Sequence, residues 1–493
     1  MGCTYFGRRK IFSIEEKITR DNVWDVVKSA LAIHSVNRHD ITYLYDYYKG
    51  DQPALYREKA IRPDINNKIV VNRAAEIVAF KTGYLLGEPI QYVRRDGNRT
   101  QSDDVRRLND FMISESKETK DICLANWMYI AGTGYRMVMA KENEPADKLE
   151  SPFEFWTIDP RECFVGYSRE VGNKPVFACI QSTPVDTVNK DNEYTVYTTD
   201  RVFKISNGDV ISDTPNNWGF IPIIEYPEND SRLGAFEIVL PILDGISEVL
   251  SSSVDDIQQT VQALLVLVGV DIEQKDADGN TVSTIESIRQ NGGISIPEGC
   301  DAKYLSLQLN QGQTQTVLNN LEQEWLEICG MPNRNGGGST SDTGSAVYLR
   351  DGFTDAETRA MNTQRMWVQS EMQFLKDVLA IMNKVDSMDI TAYELTPHFN
   401  RQNGVNLQSK TQSYCELLAS GYISPLWALK ISQLAFDTES CYEDGMKWHE
   451  EQEQKQVEEL KQAMESSNQG DNHSNSSPES KPPAKVKSNE QKS

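Results

Sequence analysis

The spacing of apolar residues changes along the chain, and each change predicts a different kind of structure. Residues 1–30 are polar with a weak helical pattern, which predicts an N-terminal arm. Apolar side chains then recur at helical spacing in four segments, residues 35–48, 69–86, 103–113 and 117–131. Between residues 153 and 226 the pattern turns to short β-rich runs such as FEFWTI and PVFACI, separated by Asp, Asn, Pro and Gly. The first 230 residues therefore predict one α+β body.

A longer helical pattern begins near Leu233. Apolar residues recur every three or four positions from Leu243 to Val268, which predicts a helix roughly 40 Å long at about 1.5 Å per residue. A β-like excursion follows, with a turn at Asp278 and Gly279, and a second helix is predicted over residues 314–329. The pattern predicts two helical rods joined by a small β tip.

The rest of the chain alternates between polar loops and helices. Residues 333–345 read NRNGGGSTSDTGS, a composition too rich in Gly, Ser and Asn to pack, which predicts a mobile loop. Helical patterns follow over about 346–385 and 409–465. Residues 466–493 contain one Val, one Ala and no larger apolar side chain, so they predict disorder.

Composition narrows the classes of protein. The 50 Lys and Arg residues are outnumbered by 73 Asp and Glu residues, giving a formal net charge of −23. A protein that grips DNA needs an excess of basic charge to neutralise phosphates, so the chain as a whole does not predict a nucleic-acid binder. Its longest apolar run, Ala263–Val268, is too short to span a bilayer, and the start MGCTYFGRRK carries no targeting signal. We expect no membrane partner.

The chemistry-bearing residues do not form a recognisable enzyme site. Eight dispersed cysteines without a CxxC pair favour a reducing compartment, and five scattered histidines indicate no metal site. A phosphate-binding loop is absent, and Gly132 and Gly134 are too few for a dinucleotide fingerprint. Among so many acidic residues, paired carboxylates do not identify a catalytic pair. We therefore expect no enzymatic activity and no cofactor.

Charge is distributed unevenly between the rods and the rest of the chain. Residues 233–274 and 304–333 contain no Lys or Arg at all. The acidic residues that we single out are Asp244, Glu248 and Asp255 on one face of the first rod, and Glu322, Glu324 and Glu327 on the second rod. Two interpretations stay open: an ordinary solvated polar face, or a wall that passes DNA without trapping its phosphates.

Three segments resemble a known family. ITYLYDYYKGDQPALYREKAIRPDINNKIVVNRAAEIVAFKTGYLLGEPIQYV, residues 41–93, resembles the N-terminal signature of portal proteins from tailed phages of Gram-positive bacteria. WGFIPIIEYPEN, residues 218–229, resembles the segment that leads into the portal stem. GGSTSDTGSAVYLRDG, residues 337–352, resembles the stretch between the second stem helix and the long kinked helix. Together the resemblance covers most of residues 35–450.

The resemblance implies a subunit of a dodecameric ring at one capsid vertex, the channel for packaging and ejection of viral DNA. Implied partners are further copies of the chain, the terminase, the head-tail adaptor, the major capsid and scaffolding proteins, and double-stranded DNA that passes non-specifically. The protein would belong to the virion after assembly in the host cytoplasm. A helical head-tail adaptor or scaffold without a DNA channel is the alternative.

The resemblance also implies a portal-type elongated α+β subunit divided into regions. By position these are an arm (1–30), a wing (31–232), stem helices (233–268 and 311–331), a clip (269–310), a tunnel loop (332–346), a long kinked helix with the rest of the wing (347–400), a helical crown (401–460) and a disordered tail (461–493).

Candidate sites follow from these regions. DNA would meet the tunnel loop, whose residues are Asn333, Arg334, Asn335, Gly336, Gly337, Gly338, Ser339, Thr340, Ser341, Asp342, Thr343, Gly344 and Ser345. The motor would dock at the clip turn formed by Asp278, Gly279 and Asn280. The acidic residues of the rods would line the channel.

Overall fold

A computed structural model describes residues 7–95, 103–141, 150–182, 193–261, 264–268, 273–275, 281–283, 301–305, 311–333, 353–386, 390–399, 407–432, 434 and 438–469. The chain divides into two units, Met1–Val405 and Asn406–Ser493. Helices and strands both occur in the first unit, and the predicted α+β class is confirmed.

The described helices of the first unit match most of the helical patterns. They are α1 (Val23–Lys49), α2 (Arg73–Leu85), α3 (Asp103–Ser114), α4 (Lys117–Ala131), α5 (Leu240–Val261), α6 (Gln311–Cys329) and α7 (Phe353–Asp386). Helix α1 ends at Gly50, which adopts the left-handed conformation (φ 104°) that glycine tolerates without strain. Helix α2 begins after Asn72, whose side chain accepts a hydrogen bond from the Ala75 N–H.

The strands form small sheets. They are β1 (Ile11–Phe12), β2 (Gln91–Arg94), β3 (Thr133–Ala140), β4 (Phe153–Ile158), β5 (Cys163–Tyr167), β6 (Pro175–Gln181), β7 (Glu193–Tyr197), β8 (Arg201–Ser206), β9 (Asp209–Pro215), β10 (Ile223–Pro227), β11 (Leu264–Val268), β12 (Glu273–Lys275), β13 (Thr281–Ser283), β14 (Asp301–Leu305) and β15 (Leu395–His398). One sheet has the order β1-β5-β6-β7-β8-β9 and another the order β10-β3-β4. The remaining described pairs are β11-β14, β12-β13 and β15-β2.

The principal core of the first unit lies between the three-stranded sheet and the helices. Tyr226 of β10 meets Trp367 of α7 edge to face, with ring centroids 5.1 Å apart. Phe155 of β4 meets Phe374 of α7 at the same separation. Burial of such aromatic side chains holds the long helix α7 against the sheet.

The predicted N-terminal arm is packed onto the body over its described part. Apolar side chains that are sparse in sequence collect against the six-stranded sheet and become buried there: Ile11, Ile18, Val23, Val26, Val27 and Ala30. The expectation of a separate polar arm is therefore wrong for residues 7–30. A weak local pattern hid these contacts, because only the folded sheet brings the apolar positions to one surface.

The first rod is shorter than predicted. Helix α5 ends at Val261, and Leu264–Val268 form strand β11, paired antiparallel with Asp301–Leu305. At about 1.5 Å per residue the helix is about 33 Å long. The run LLVLV is apolar at every position, so its periodicity fits a helix and a strand equally well, and pairing with a distant strand decides the outcome. The predicted β tip is confirmed where it is described, and α5 packs beside α6.

The described part of the second unit is helical. Its helices are α8 (Leu407–Ala419), α9 (Pro425–Ser432) and α10 (Thr438–Gln469). The predicted tail begins at residue 461, yet α10 continues to Gln469, so disorder is wrong for residues 461–469. The run QVEELKQAM consists mostly of strong helix formers, whose backbone propensity favours continuation of the helix. Residues 470–493 and the predicted helical residues 346–352 lie outside the described residues.

Candidate functional site

The acidic residues predicted on the first rod do share one side of α5. That side faces another part of the same subunit. Asp244 accepts a hydrogen bond from the Tyr47 hydroxyl at 2.8 Å, and its partial burial raises the pKa of the carboxyl although the tyrosine opposes the shift. Glu248, with 53% of its side chain exposed, pairs with Arg57 Nε at 2.8 Å.

Residues 57–71 lie along this side of α5, and we call them the strap. Two of the strap's backbone N–H groups donate to serine hydroxyls of the helix, Ile69 to Ser251 at 3.0 Å and Val71 to Ser247 at 3.4 Å. A connecting segment has no ladder or helix of its own in which its backbone N–H groups can be paired. Here the serine hydroxyls of α5 accept their hydrogen bonds. The strap thereby follows α5 over at least one helical turn.

Asp255 is the centre of the contact between the strap and the helix. Its Oδ2 accepts from Arg57 Nη1 at 2.7 Å and Lys59 Nζ at 2.8 Å, and its Oδ1 accepts from the backbone and side-chain nitrogens of Asn67 at 2.7 and 2.8 Å. Burial alone would raise the pKa of Asp255. The donors outweigh burial and hold this pKa well below its ordinary value.

The contacts of Asp255 change how the acidic residues of the first rod are interpreted. The side chain of Asp255 has no solvent exposure, so in the isolated subunit it belongs neither to a solvated polar face nor to an open channel wall. The first rod contains no cation of its own, but the strap supplies two. The missing positive charge in the rod sequence is thus provided by a segment almost 200 positions away, as the separation of 198 between Arg57 and Asp255 shows.

The acidic residues of the second rod point to different sides of α6. Glu322 accepts from Arg73 Nη2 at 2.9 Å and from the indole N–H of Trp325 at 2.6 Å. Glu324 and Glu327 are exposed and three positions apart, a spacing that places them on one side of the helix. Of the three acidic residues singled out on the second rod, Glu324 and Glu327 present their carboxylates to solvent in the manner that a wall requires.

Most of the other predicted site residues are not described. Asn333 is partly buried at the end of the segment that follows α6. Residues 334–345 of the tunnel loop, from Arg334 to Ser345, and the clip turn of Asp278, Gly279 and Asn280 lie outside the described residues.

The chain leading into α5 is fixed by a buried carboxylate that the sequence did not single out. Glu237, which precedes α5, accepts from Arg8 Nη2 at 2.6 Å, from the Gly7 N–H at 2.9 Å and from the Gly234 N–H at 2.9 Å. Gly132, at φ 79°, lies so close to the Arg232 backbone that a Cβ would overlap it. The N-terminal segment and strand β3 are therefore anchored just before α5 begins.

A second ionic cluster lies in the part of the first unit that was predicted to be the wing, and we call it the wing network. Its centre is Glu371 of α7, which is fully buried. This carboxylate contacts Lys117 Nζ at 2.9 Å, Arg136 Nη1 at 3.3 Å, the Tyr92 hydroxyl at 2.5 Å and the Tyr226 hydroxyl at 2.8 Å. Burial works to raise the pKa of Glu371, but the charges of Lys117 and Arg136 outweigh it, and the pKa lies below its ordinary range.

Asp121 of α4 completes the wing network. It pairs with Lys117 Nζ at 2.5 Å and with Arg136 Nη2. Two carboxylates thus face two cations, all of them on side chains no more than 4% exposed. The network joins α4, β3 and α7 in the interior of the first unit.

The described part of the chain shows neither a metal-ligand cluster nor a membrane-spanning helix. There, no three His, Cys, Asp or Glu side chains come together as a possible metal site. No described helix combines the length and apolar character needed to cross a bilayer.

Comparison with protein families decides the assignment. The profile of the family described as "Phage portal protein, SPP1 Gp6-like" matches residues 28–463. The chain belongs to the phage portal protein family. The resemblance found in residues 41–93 is therefore confirmed, and the family supports a portal role, that of a structural, ring-forming component of a virion.

Three solved structures of gene transfer agent (GTA) particles contain chains with a low similarity to this one. A chain in "Virion of native gene transfer agent (GTA) particle" has 13% identity and a TM-score of 0.43, covering 80% of this chain and 94% of its own. A chain in "Neck of empty GTA particle computed with C6 symmetry" has 12% identity and a TM-score of 0.42, covering 73% and 90% respectively. A chain in "Neck of native GTA particle computed with C12 symmetry" has 11% identity and a TM-score of 0.40, covering 73% and 89%. No curated protein sequence matches this chain.

The sequence pattern did not identify the cations that complete the contact at Asp255 and the wing network. Arg57 and Lys59 lie within the segment that carries the family resemblance, but nothing in their local pattern points to a helix far along the chain. One signal was available: a helix without any Lys or Arg, carrying acids on one face, needs cations from elsewhere if that face is buried. No comparable signal marked Glu371.

Proposed function

We propose that this protein is the subunit of a dodecameric portal ring at one capsid vertex. In this role the ring would be the channel for packaging and ejection of double-stranded DNA, assembled in the host cytoplasm together with the major capsid and scaffolding proteins. It would dock the terminase and later the head-tail adaptor. The observation that carries the proposal is the family match over residues 28–463.

Exposed apolar residues on the stem helices support assembly into a ring. On α5 the apolar stripe is buried at Leu243 and Ile246, whereas Ile257 is 46% exposed near the other end. On α6, Val317 is 47% exposed. Apolar side chains on paired helices are suited to contact neighbouring copies, which would remove this surface from water.

The channel wall is proposed from the carboxylates that remain exposed. Asp244 and Asp255 are engaged by Tyr47 and the strap, so the candidates are Glu248, Glu324 and Glu327. A ring would repeat these charges around the bore and repel phosphates weakly, since the screening length is ~8 Å at physiological salt. DNA could then slide without being trapped.

The tunnel loop and the clip turn complete the proposal. The loop Asn333–Ser345 would contact DNA, with Arg334 as a local attraction, and Asp278, Gly279 and Asn280 would meet the motor. Replacing Asp278 and Asn280 by Ala should weaken terminase binding, measured by pull-down, and leave ring formation intact. Rings that fail to form would instead identify the turn as an assembly element.

Ring formation is the direct test of the proposed function. We expect particles whose mass is a multiple of the 55.8 kDa subunit, and electron micrographs of rings with a central hole. Solid particles without a hole would favour the helical scaffold or adaptor. A monomer at every concentration and salt would contradict both.

The proposed channel wall can be tested separately from ring formation. Changing Glu324 and Glu327 together to Lys should leave rings intact and slow DNA packaging, most strongly at low salt, because each Lys can hold a phosphate. Packaging with an unchanged rate and salt response would show that these carboxylates face away from DNA.

A further inference from the structure

One carboxylate holds several parts of the strap at once. Asp255 receives hydrogen bonds from Arg57, Lys59 and both nitrogens of Asn67, so it joins three separate positions of the strap to α5. Arg57 adds contacts to Glu248 at 2.8 Å and to the Ser252 hydroxyl at 2.7 Å. These six contacts fix the path of the strap between Arg57 and Asn67, and Asp255 accepts four of them.

The cations held in this way remain close to the surface. The side chains of Arg57 and Lys59 are 12% and 22% exposed, whereas Asp255 beneath them is inaccessible. Residues 233–274 carry no Lys or Arg, so the strap places positive charge beside a helix that otherwise has none. If Asp255 no longer accepted their bonds, Lys59 would lose this carboxylate, and the carboxylate left to Arg57 would be Glu248, which is 53% exposed, so both cations could reach an external anion.

We propose that Asp255 is a positioning residue that binds Arg57 and Lys59 within the subunit and so withholds them from DNA phosphates. The inference rests on the proposed passage of DNA through a ring of these subunits. Lys and Arg bind DNA by displacing counterions from phosphates, and a ring would repeat any free pair in every subunit. A carboxylate that already occupies both cations prevents that grip while it keeps the strap in place.

The first experiment compares Asp255→Asn with Asp256→Asn, which removes the same charge from an exposed neighbour on α5. Amide hydrogen exchange should accelerate at Asn67 and Ile69 in Asp255→Asn, because the Asn67 N–H loses its charged acceptor. In fluorescence anisotropy with a short labelled DNA duplex, Asp255→Asn should bind about fivefold more tightly at ~50 mM salt, with a salt slope steeper by about 2. Asp256→Asn should change affinity less than about twofold, as expected for loss of one screened charge.

Two further variants separate release of the cations from general loosening of the fold. Adding Arg57→Gln and Lys59→Gln to Asp255→Asn should return DNA affinity and salt slope to wild-type values while exchange of the strap stays fast. In an otherwise wild-type chain, Arg57→Gln with Lys59→Gln should leave DNA affinity unchanged, since these cations are already withheld. This second variant also tests the inference if Asp255→Asn does not fold.

Three results would overturn the inference. They are unchanged strap exchange in Asp255→Asn, a DNA affinity equal to that of Asp256→Asn, and weaker DNA binding by the double Gln variant with an intact Asp255. Particle mass measured on the same samples tests the portal ring separately from the role of Asp255. Failure to form rings would count against the portal ring alone, because exchange at Asn67 and Ile69 reports on each subunit.

Discussion

Two groups of charged residues, the strap cluster (Asp255, Arg57 and Lys59) and the wing network, both place a buried carboxylate between two cations, but they differ in exposure. In the wing network, Lys117 and Arg136 are 4% and 0% exposed, and two carboxylates balance two cations. In the strap cluster, Arg57 and Lys59 keep 12% and 22% of their side-chain surface, and Asp255 is the carboxylate that they share.

The difference indicates two roles for the same chemistry. A fully buried ion pair is costly to break, because the remaining partner is left charged in a medium of low dielectric. A cation near the surface can recover hydration when its partner is lost, so its release costs less. We therefore interpret the wing network as a permanent anchor of α7 and the strap cluster as a contact that can be opened.

The largest loss of stability is expected when the wing network is broken. Glu371→Gln leaves Lys117 and Arg136 buried with a single carboxylate, which should destabilise the protein by about 3–5 kcal/mol. Thermal unfolding followed by circular dichroism measures this change. Asp355→Asn on the same helix, which removes an exposed carboxylate paired with Arg359 at 3.0 Å, is the control and should change little. Equal effects of the two variants would show that the wing network does not anchor α7.

A change in the strap cluster should reduce the stability of the protein by a smaller amount. Asp255→Asn removes the charged acceptor but leaves cations that water can reach, so we expect a loss of about 2–3 kcal/mol. The same thermal unfolding experiment compares it with Glu371→Gln. A larger loss for Asp255→Asn than for Glu371→Gln would reverse the assignment of anchor and releasable contact.

Glu228 shows what happens when a buried carboxylate has few donors. Burial raises its pKa to about 7, with Lys81 Nζ at 4.0 Å opposing the shift. Because the folded protein binds this proton more tightly, the stability it contributes is present below the ordinary pKa and is lost as pH rises through about 7. The free energy of unfolding, measured by denaturant titration, should therefore fall by about 1–2 kcal/mol more between pH 5 and pH 8 in the wild type than in Glu228→Gln. Parallel pH profiles would contradict this assignment.

The smallest loss of stability is expected at Glu248, the exposed carboxylate that contacts the strap. Glu248 pairs with Arg57 but is 53% exposed, so Glu248→Gln should cost less than about 1 kcal/mol. Amide exchange at Asn67 should stay as in the wild type, because Asp255 still holds the strap. Fast exchange in this variant would mean that Arg57 is positioned by Glu248 and not by Asp255.

The sequence alone determined the features that local pattern encodes. Helices α3 and α4 and strands such as β4 and β6 lie where periodicity placed them, because three- and four-residue or alternating spacing reflects which face is buried. The family was likewise recognisable from residues 41–93, a long and specific segment. The shared face of Asp244, Glu248 and Asp255 also followed from spacing alone.

Only the tertiary structure decided what that shared face meets. Spacing cannot reveal that Asp255 is covered by Arg57, because the two lie 198 positions apart and are brought together by packing. The same holds for Glu371 and Arg136, which are 235 positions apart, and for Leu264–Val268, where pairing with Asp301–Leu305 selects strand over helix. Local propensity fixes the direction in which a side chain points along its own element, whereas the charge or strand opposite it is set by the path of the whole chain.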